Sequence, residues 1–136
     1  MYLEGKIYKD GKFWLAEIPA LDAMTQGHTK AEAMDMIIDW LDTAIDNSEF
    51  HAKIFDMHKD VFTIESVKPN LVLALLLRRQ RAKSGLTIRD IAKLLNLKSH
   101  NSYSQYEKGS VEPSLSQVER FVTAMNPERK VTLKVG

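Results

Sequence analysis

The stretch 86–109, LTIRDIAKLLNLKSHNSYSQYEKG, decides the fold of the second half of the chain. Its spacing predicts two short helices joined by a tight connection. In the first, about Thr87–Leu95, Thr87 stands at the N-cap with Asp90 three residues on, the pattern of a capping box. Gly85 just before it suits the left-handed position that closes a preceding helix. Ile88, Ile91, Leu94 and Leu95 fall on one face of a 3.6-residue period. Asn96-Leu97-Lys98 forms the connection, with Asn tolerating turn geometry and Leu97 reaching back to the core. The second helix runs from Ser99 or Asn101 to Lys108, and Gly109 stops it. Only Tyr103 and Tyr106 are large and core-facing there; His100, Asn101, Ser102, Ser104, Gln105 and Lys108 make up the polar remainder.

A helix anchored on one side and lined with hydrogen-bonding groups on the other is what readout of a DNA major groove requires. Any surface helix is also polar on its outside, so the flanks decide. Upstream, Leu77-Arg78-Arg79-Gln80-Arg81 runs into Gly85-Leu86-Thr87. Downstream, Glu107-Lys108-Gly109 leads to Pro113-Ser114-Leu115 and a further amphipathic helix, Ser114–Met125, with Gln117 at N3. With helix 1 at Leu71–Ser84, residues 71–125 resemble the Xre/Cro/C1-type helix-turn-helix family. Two positions depart from that family's pattern. Ile88 stands where Gln usually follows the entry Thr, removing a phosphate contact, and the connection before the recognition helix is one residue longer. For base contact we expect Ser99, His100, Asn101, Ser102 and Gln105, and for phosphates Arg89, Lys98, Ser104 and Lys108. The arginine-rich end of helix 1 (Arg78, Arg79, Arg81, Lys83) either touches phosphate or simply suits a helix C-terminus.

The chain has 136 residues, enough for one domain or two small ones, and its 44% apolar and 27% charged content is that of a globular protein. Its longest apolar run, Leu71–Leu77, is seven residues and ends in arginines. No signal-peptide pattern opens it, so we expect neither export nor membrane insertion and a cytoplasmic location. With no cysteine, disulfides, thiolate catalysis and Cys-based zinc sites are excluded. The net charge of +1 conceals a division. Residues 1–68 carry 7 Lys/Arg against 13 Asp/Glu, or −6, and residues 69–136 carry 12 against 5, or +7. An acidic half joined to a basic half points to two partners of opposite charge. Lys68-Pro69-Asn70 is the expected boundary.

Residues 2–18 read as a β-hairpin around Asp10-Gly11, apolar on both faces, so that one face packs on the following helix and the other wants a cover. Met24-Thr25-Gln26 makes a short third strand. Thr29 then caps a helix of about Lys30–Asp46, with Met34, Ile37, Ile38, Leu41 and Ile45 as its core stripe. Asp35, Asp39, Asp42 and Asp46 form a second stripe, which is a solvated face, a surface for a basic protein, or a metal cluster for nuclease chemistry. A single straight stripe wraps an ion poorly. Residues 50–67 read as one further strand region, clearest at Val61–Val67. No Walker loop, GxGxxG, HExxH or Ser/His/Asp arrangement stands out, and we expect no catalytic residues, metal or cofactor. The tail Lys130–Val135 alternates like a strand, and we expect it to pair with its two-fold copy in a dimer or with the N-terminal sheet.

The block TQGHTKAEAMDMIIDWL at 25–41, behind a hairpin, resembles the HicB antitoxin family at Thr25, Gln26, Gly27, Thr29, Glu32 and Ala33. The resemblance covers roughly residues 2–67 and implies a partial RNase H-like β-β-β-α-β domain without nuclease activity. Such a domain blocks HicA, a small basic mRNA-cleaving toxin. The expected architecture is thus an α+β toxin-neutralising domain (1–68) followed by an all-α helix-turn-helix domain with a C-terminal strand (69–136), which dimerises, or forms a higher homo-oligomer, and binds double-stranded operator DNA to repress its own operon. For the toxin surface we expect Trp14, Glu17, Asp22, Asp35, Asp39 and Asp42. The alternatives are a free-standing regulator with a small-molecule-sensing N-terminal domain and a nuclease using Asp35, Asp39 and Asp42.

Overall fold

The structure, a computed structural model, describes residues 1–136 and divides into two compact units, Met1–Pro69 and Asn70–Gly136. In the first unit β1 (Tyr2–Asp10), β2 (Phe13–Ile18) and β3 (Ala23–Gly27) precede α1 (Lys30–Ile45), and β4 (Lys53–His58) and β5 (Val61–Glu65) follow it. All five strands lie in one antiparallel sheet of order β3-β2-β1-β5-β4. Asp10 and Phe13 close the first hairpin around Gly11-Lys12, and Gly11 supplies the positive φ of 58° at the first loop position.

Side chains alternate across the strands, so Leu3, Ile7, Ala16, Ile18, Ala23, Phe62 and Ile64 are buried on one face. α1 packs against β1–β3 and buries Ala33, Met34, Ile37, Leu41 and Ile45. The Thr29 hydroxyl accepts from the Glu32 amide at 3.1 Å, and the Glu32 carboxylate accepts from the His28 amide at 2.9 Å, so the helix start closes on itself. Gly27 permits the close approach of β3: a Cβ there would lie 2.6 Å from the Ala33 nitrogen. On the other sheet face Tyr2, Met24 and Val61 are exposed, while Tyr8, Phe13 and Leu15 of the first hairpin are half-buried.

The single strand expected within 50–67 is a hairpin, making the order β-β-β-α-β-β. The sequence KIFDMH does not alternate, because a β-bulge between Ile54 and Asp56 breaks the period and every residue of this edge strand is exposed.

The second unit comprises α2 (Pro69–Lys83), α3 (Ile88–Leu94), α4 (Asn101–Glu107) and α5 (Leu115–Met125). Leu77, Ile91, Tyr103, Phe121 and Met125 form its core, with Leu76, Leu86, Ile88, Leu95, Leu97 and Tyr106 packed around them. Tyr103 and Tyr106 both meet Phe121, each with ring centroids 5.1 Å apart. α3 and α5 each open on a complete capping box, Thr87 with Asp90 and Ser114 with Gln117.

The expected C-terminal strand is not formed: residues 130–136 are not in a strand and are not part of the five-stranded sheet. A strand is completed only by a neighbour to accept its hydrogen bonds. No helix is long and apolar enough to cross a membrane.

Candidate nucleic-acid interface

α4 has seven residues, too few to be stable on its own. Its N-terminus has no side-chain cap on the helix axis; the Ser99 hydroxyl accepts from the Asn101 amide at 3.2 Å. What holds it is α2. The Asn70 side-chain Nδ2 donates to the Gly109 carbonyl at 2.6 Å, and the Arg78 Nη1 donates to the Glu107 carbonyl at 2.6 Å. Two carbonyls at the end of α4, with no partner inside the helix, are thus satisfied from the neighbouring one. Gly109 takes φ +74°, and a Cβ there would sit 2.9 Å from Leu71.

The strongest tie is ionic. Glu107 is 4% exposed and receives Arg81 through both oxygens, Nε at 2.7 Å and Nη2 at 3.0 Å, while the Tyr103 hydroxyl donates to Oε1 at 2.7 Å. Arg81 also donates to the Leu86 carbonyl at 2.9 Å, so one guanidinium joins α2, the α2–α3 turn and α4. The hydrogen bond to Glu107 holds the Arg81 guanidinium above its ordinary pKa. Desolvation lowers that of Arg78, and burial pushes the Tyr103 phenol well up. Removing one partner of a buried pair like this destabilises by roughly 3–5 kcal/mol, because the other charge is left without compensation. Arg78 and Arg81 are therefore internal struts, not the phosphate contacts considered for the end of helix 1.

With its inner side pinned this way, α4 presents Asn101 and Ser102 to solvent, with Gln105 half-exposed, and the residues flanking it, Lys98, Ser99, His100 and Lys108, are exposed as well. Arg89 is exposed on α3. Ser104 does not belong with them. It is 7% exposed and its hydroxyl donates to the Asn101 carbonyl at 3.4 Å, so it faces the core. The Gln105 amide donates to the Ser102 carbonyl at 3.2 Å, folded along the helix. The arrangement is a row of amide, hydroxyl, imidazole and ammonium groups, the donor and acceptor set that base edges and phosphates match. Glu107 itself lay outside the expected site. Its signal in the sequence is an acid in the last turn of a helix beside two tyrosines, where a cation is ordinarily favoured.

The residues expected to face a protein partner are not brought onto one surface. Asp35 and Asp39 are exposed on the outer side of α1, and Asp22 sits exposed at a left-handed φ of 52° after the turn Pro19–Leu21. Trp14 lies on the helix-side face of the sheet with the Lys30 ammonium 5.8 Å from its ring centroid. Glu17 points to the opposite face, accepting a 3.4 Å bond from the Tyr8 hydroxyl. Asp42 is occupied internally: it accepts from the Ala52 amide at 2.7 Å, tying down the chain after α1. No group of three or more His, Asp or Glu side chains converges to hold a metal ion, and the stripe on α1 leaves Asp42 turned to the backbone.

Residues 72–126 match a family model described as a helix-turn-helix domain. No curated protein matches the chain. The α2–α5 unit is thus similar to a helix-turn-helix domain, with α3 and α4 in the place of its two-helix motif.

Proposed function

We propose that this helix-turn-helix-like unit belongs to an antitoxin of the HicB kind, one half reading an operator and the other restraining a small basic RNA-cleaving toxin. The observation that carries the reading is that charge and structure divide at the same place. The unit Met1–Pro69 holds the net −6 and Asn70–Gly136 the net +7. Duplex DNA draws the second and repels the first, so the acidic unit is suited to a different, cationic partner.

Within the acidic unit the excess is on α1. Its span carries Glu32, Asp35, Asp39 and Asp42 against Lys30 alone, and Asp46 caps its end. Asp35 and Asp39, with the exposed Met36 between them, are the exposed acids that α1 contributes to the expected toxin surface. In the basic unit, Asn101 and Gln105 read bases, each good bidentate pair with adenine worth about 1–3 kcal/mol, and Lys98, Lys108 and Arg89 hold phosphates. Two copies present two α4 helices to half-sites about 34 Å apart, one turn of DNA, and occupancy of the operator represses transcription.

The test is co-expression of the full chain with a HicA-type toxin under two tags, joined to an operator-binding assay. Co-purification, rescue of growth and retarded operator DNA support the reading. Binding to DNA without capture or rescue removes the antitoxin half and leaves a transcription regulator. Capture without any DNA binding at low salt removes the other half.

A further inference from the structure

The sheet of the first unit has two edges, and they differ. β3, at one side, is backed by α1. β4, at the other, is exposed at all six residues, and three of them are large and apolar: Ile54 at 40%, Phe55 at 62% and Met57 at 39% exposure. An edge strand turns a row of main-chain N–H and C=O groups outward, so apolar side chains along it favour the addition of another strand.

The bulge sets which strand fits. Ile54 pairs with Ile64 and Met57 with Phe62, both buried on the helix side of the sheet. Lys53, Asp56 and His58 pair with Glu65, Thr63 and Val61 on the opposite side. Phe55 is the inserted residue, and its ring lies 4.7 Å from that of Tyr2, on the side of Asp56. Ile54 and Met57 therefore share a face although they are three apart, which a regular strand does not allow. A regular strand laid along β4 falls out of step at the insertion, its faces reversed beyond it.

A second β4 carries the same insertion. Laid antiparallel, with the two-fold axis between Phe55 and Asp56, Lys53 opposes His58 of the second copy, Ile54 opposes Met57 and Phe55 opposes Asp56. Every pair then keeps to one face. No two acids and no two lysines stand opposite, and Lys53 is diagonal to Asp56 of the second copy at about 7–8 Å, within reach of its long side chain.

We propose that β4 is a self-pairing edge, through which two copies of the chain join antiparallel along Lys53–His58 into one continuous sheet, Ile54 of each against Met57 of the other. The pairing rests on neither the DNA-binding nor the toxin reading, and it is tested without DNA or toxin, so failure of those readings leaves it standing.

The chain has no cysteine, so introduced ones report the register. Opposed Cα atoms lie about 4.5–5.5 Å apart, within disulfide reach. Residue 54 and its own equivalent are displaced along the strands by a further ~7–10 Å, beyond it, and so are the two copies of residue 57. In full-length protein under mild oxidation, an equimolar mixture of I54C and M57C chains is expected to form covalent dimer at least ~10-fold faster than either variant alone. Sedimentation equilibrium of the unmodified chain is expected to show self-association that I54K/M57K, which sets lysines opposite each other, weakens at least ~10-fold with the circular dichroism spectrum retained. If the helical unit also dimerises, the same variant halves the assembled mass instead of giving monomer. Equal cross-linking of the mixture and the single variants, a monomeric unmodified chain, or an assembly indifferent to I54K/M57K overturns the proposal.

Discussion

α1 and α4 are both amphipathic helices that show a polar row to solvent, but they are held in opposite ways. α1 spans Lys30–Ile45, caps its own start through Thr29 and Glu32, and buries five residues against a sheet. α4 spans Asn101–Glu107 and borrows its support from α2, through Asn70, Arg78 and Arg81. A self-contained helix tolerates change on its outer face and fails only where its core is touched. A borrowed one fails when residues far from its surface change. If α4 reads DNA, the residues that set its aim are on α2 and inside the domain, not on the reading face.

The contrast is broken most severely at the buried pair. Glu107→Ala leaves Arg81 and the Tyr103 hydroxyl without their partner and is expected to destabilise the helix-turn-helix unit by roughly 3–5 kcal/mol. Asp39→Ala on the open face of α1 is expected to change stability by less than about 0.5 kcal/mol. Urea unfolding of the two variants measures both; similar losses would show that α4 depends on α2 no more than α1 depends on its solvent face.

Gly109→Ala comes next. It forces a side chain into φ +74° and against Leu71, for about 1–3 kcal/mol, and tilts α4 at its supported end. Operator affinity should fall together with stability. An unchanged melting temperature would mean that the α4–α2 junction is looser than its hydrogen bonds indicate.

The smallest effect sharpens the comparison at the helix starts. Hydrogen bonding with Thr87, its backbone amide first, holds the Asp90 carboxyl below its usual pKa. A depressed carboxyl contributes stability that is present above its unfolded value, near 4, and lost as pH falls through the folded one. Asp90→Asn is therefore expected to flatten the acid side of the stability curve and to leave pH 7 to 9 unaltered in shape. A wild-type slope kept in the variant would assign the acid transition to other groups.

Much of this was legible where the signal is local. The capping pairs Thr29–Glu32, Thr87–Asp90 and Ser114–Gln117 span three residues each, and the core stripes of α1 and α5 follow a period that survives into the fold. The misreadings are non-local. Arg78 and Arg81 look like surface cations until Glu107, 26 residues beyond Arg81, comes into place. Asp42 looks like one of a row until the Ala52 amide reaches it. Ser104 shares the composition of the reading face but turns inward to the Asn101 carbonyl. β4 is hidden by its bulge, and the tail alternates like a strand without forming one.

The central claim is that the exposed row on α4 reads base pairs. It is tested most directly by operator binding of the double variant Asn101→Ala, Gln105→Ala, measured against scrambled duplex over a range of salt. Both side chains are outside the core, so the fold should hold. Loss of about 2–6 kcal/mol of preference for the operator, with scrambled-duplex affinity and its salt slope kept, is the predicted result. A full operator preference in that variant would contradict the account.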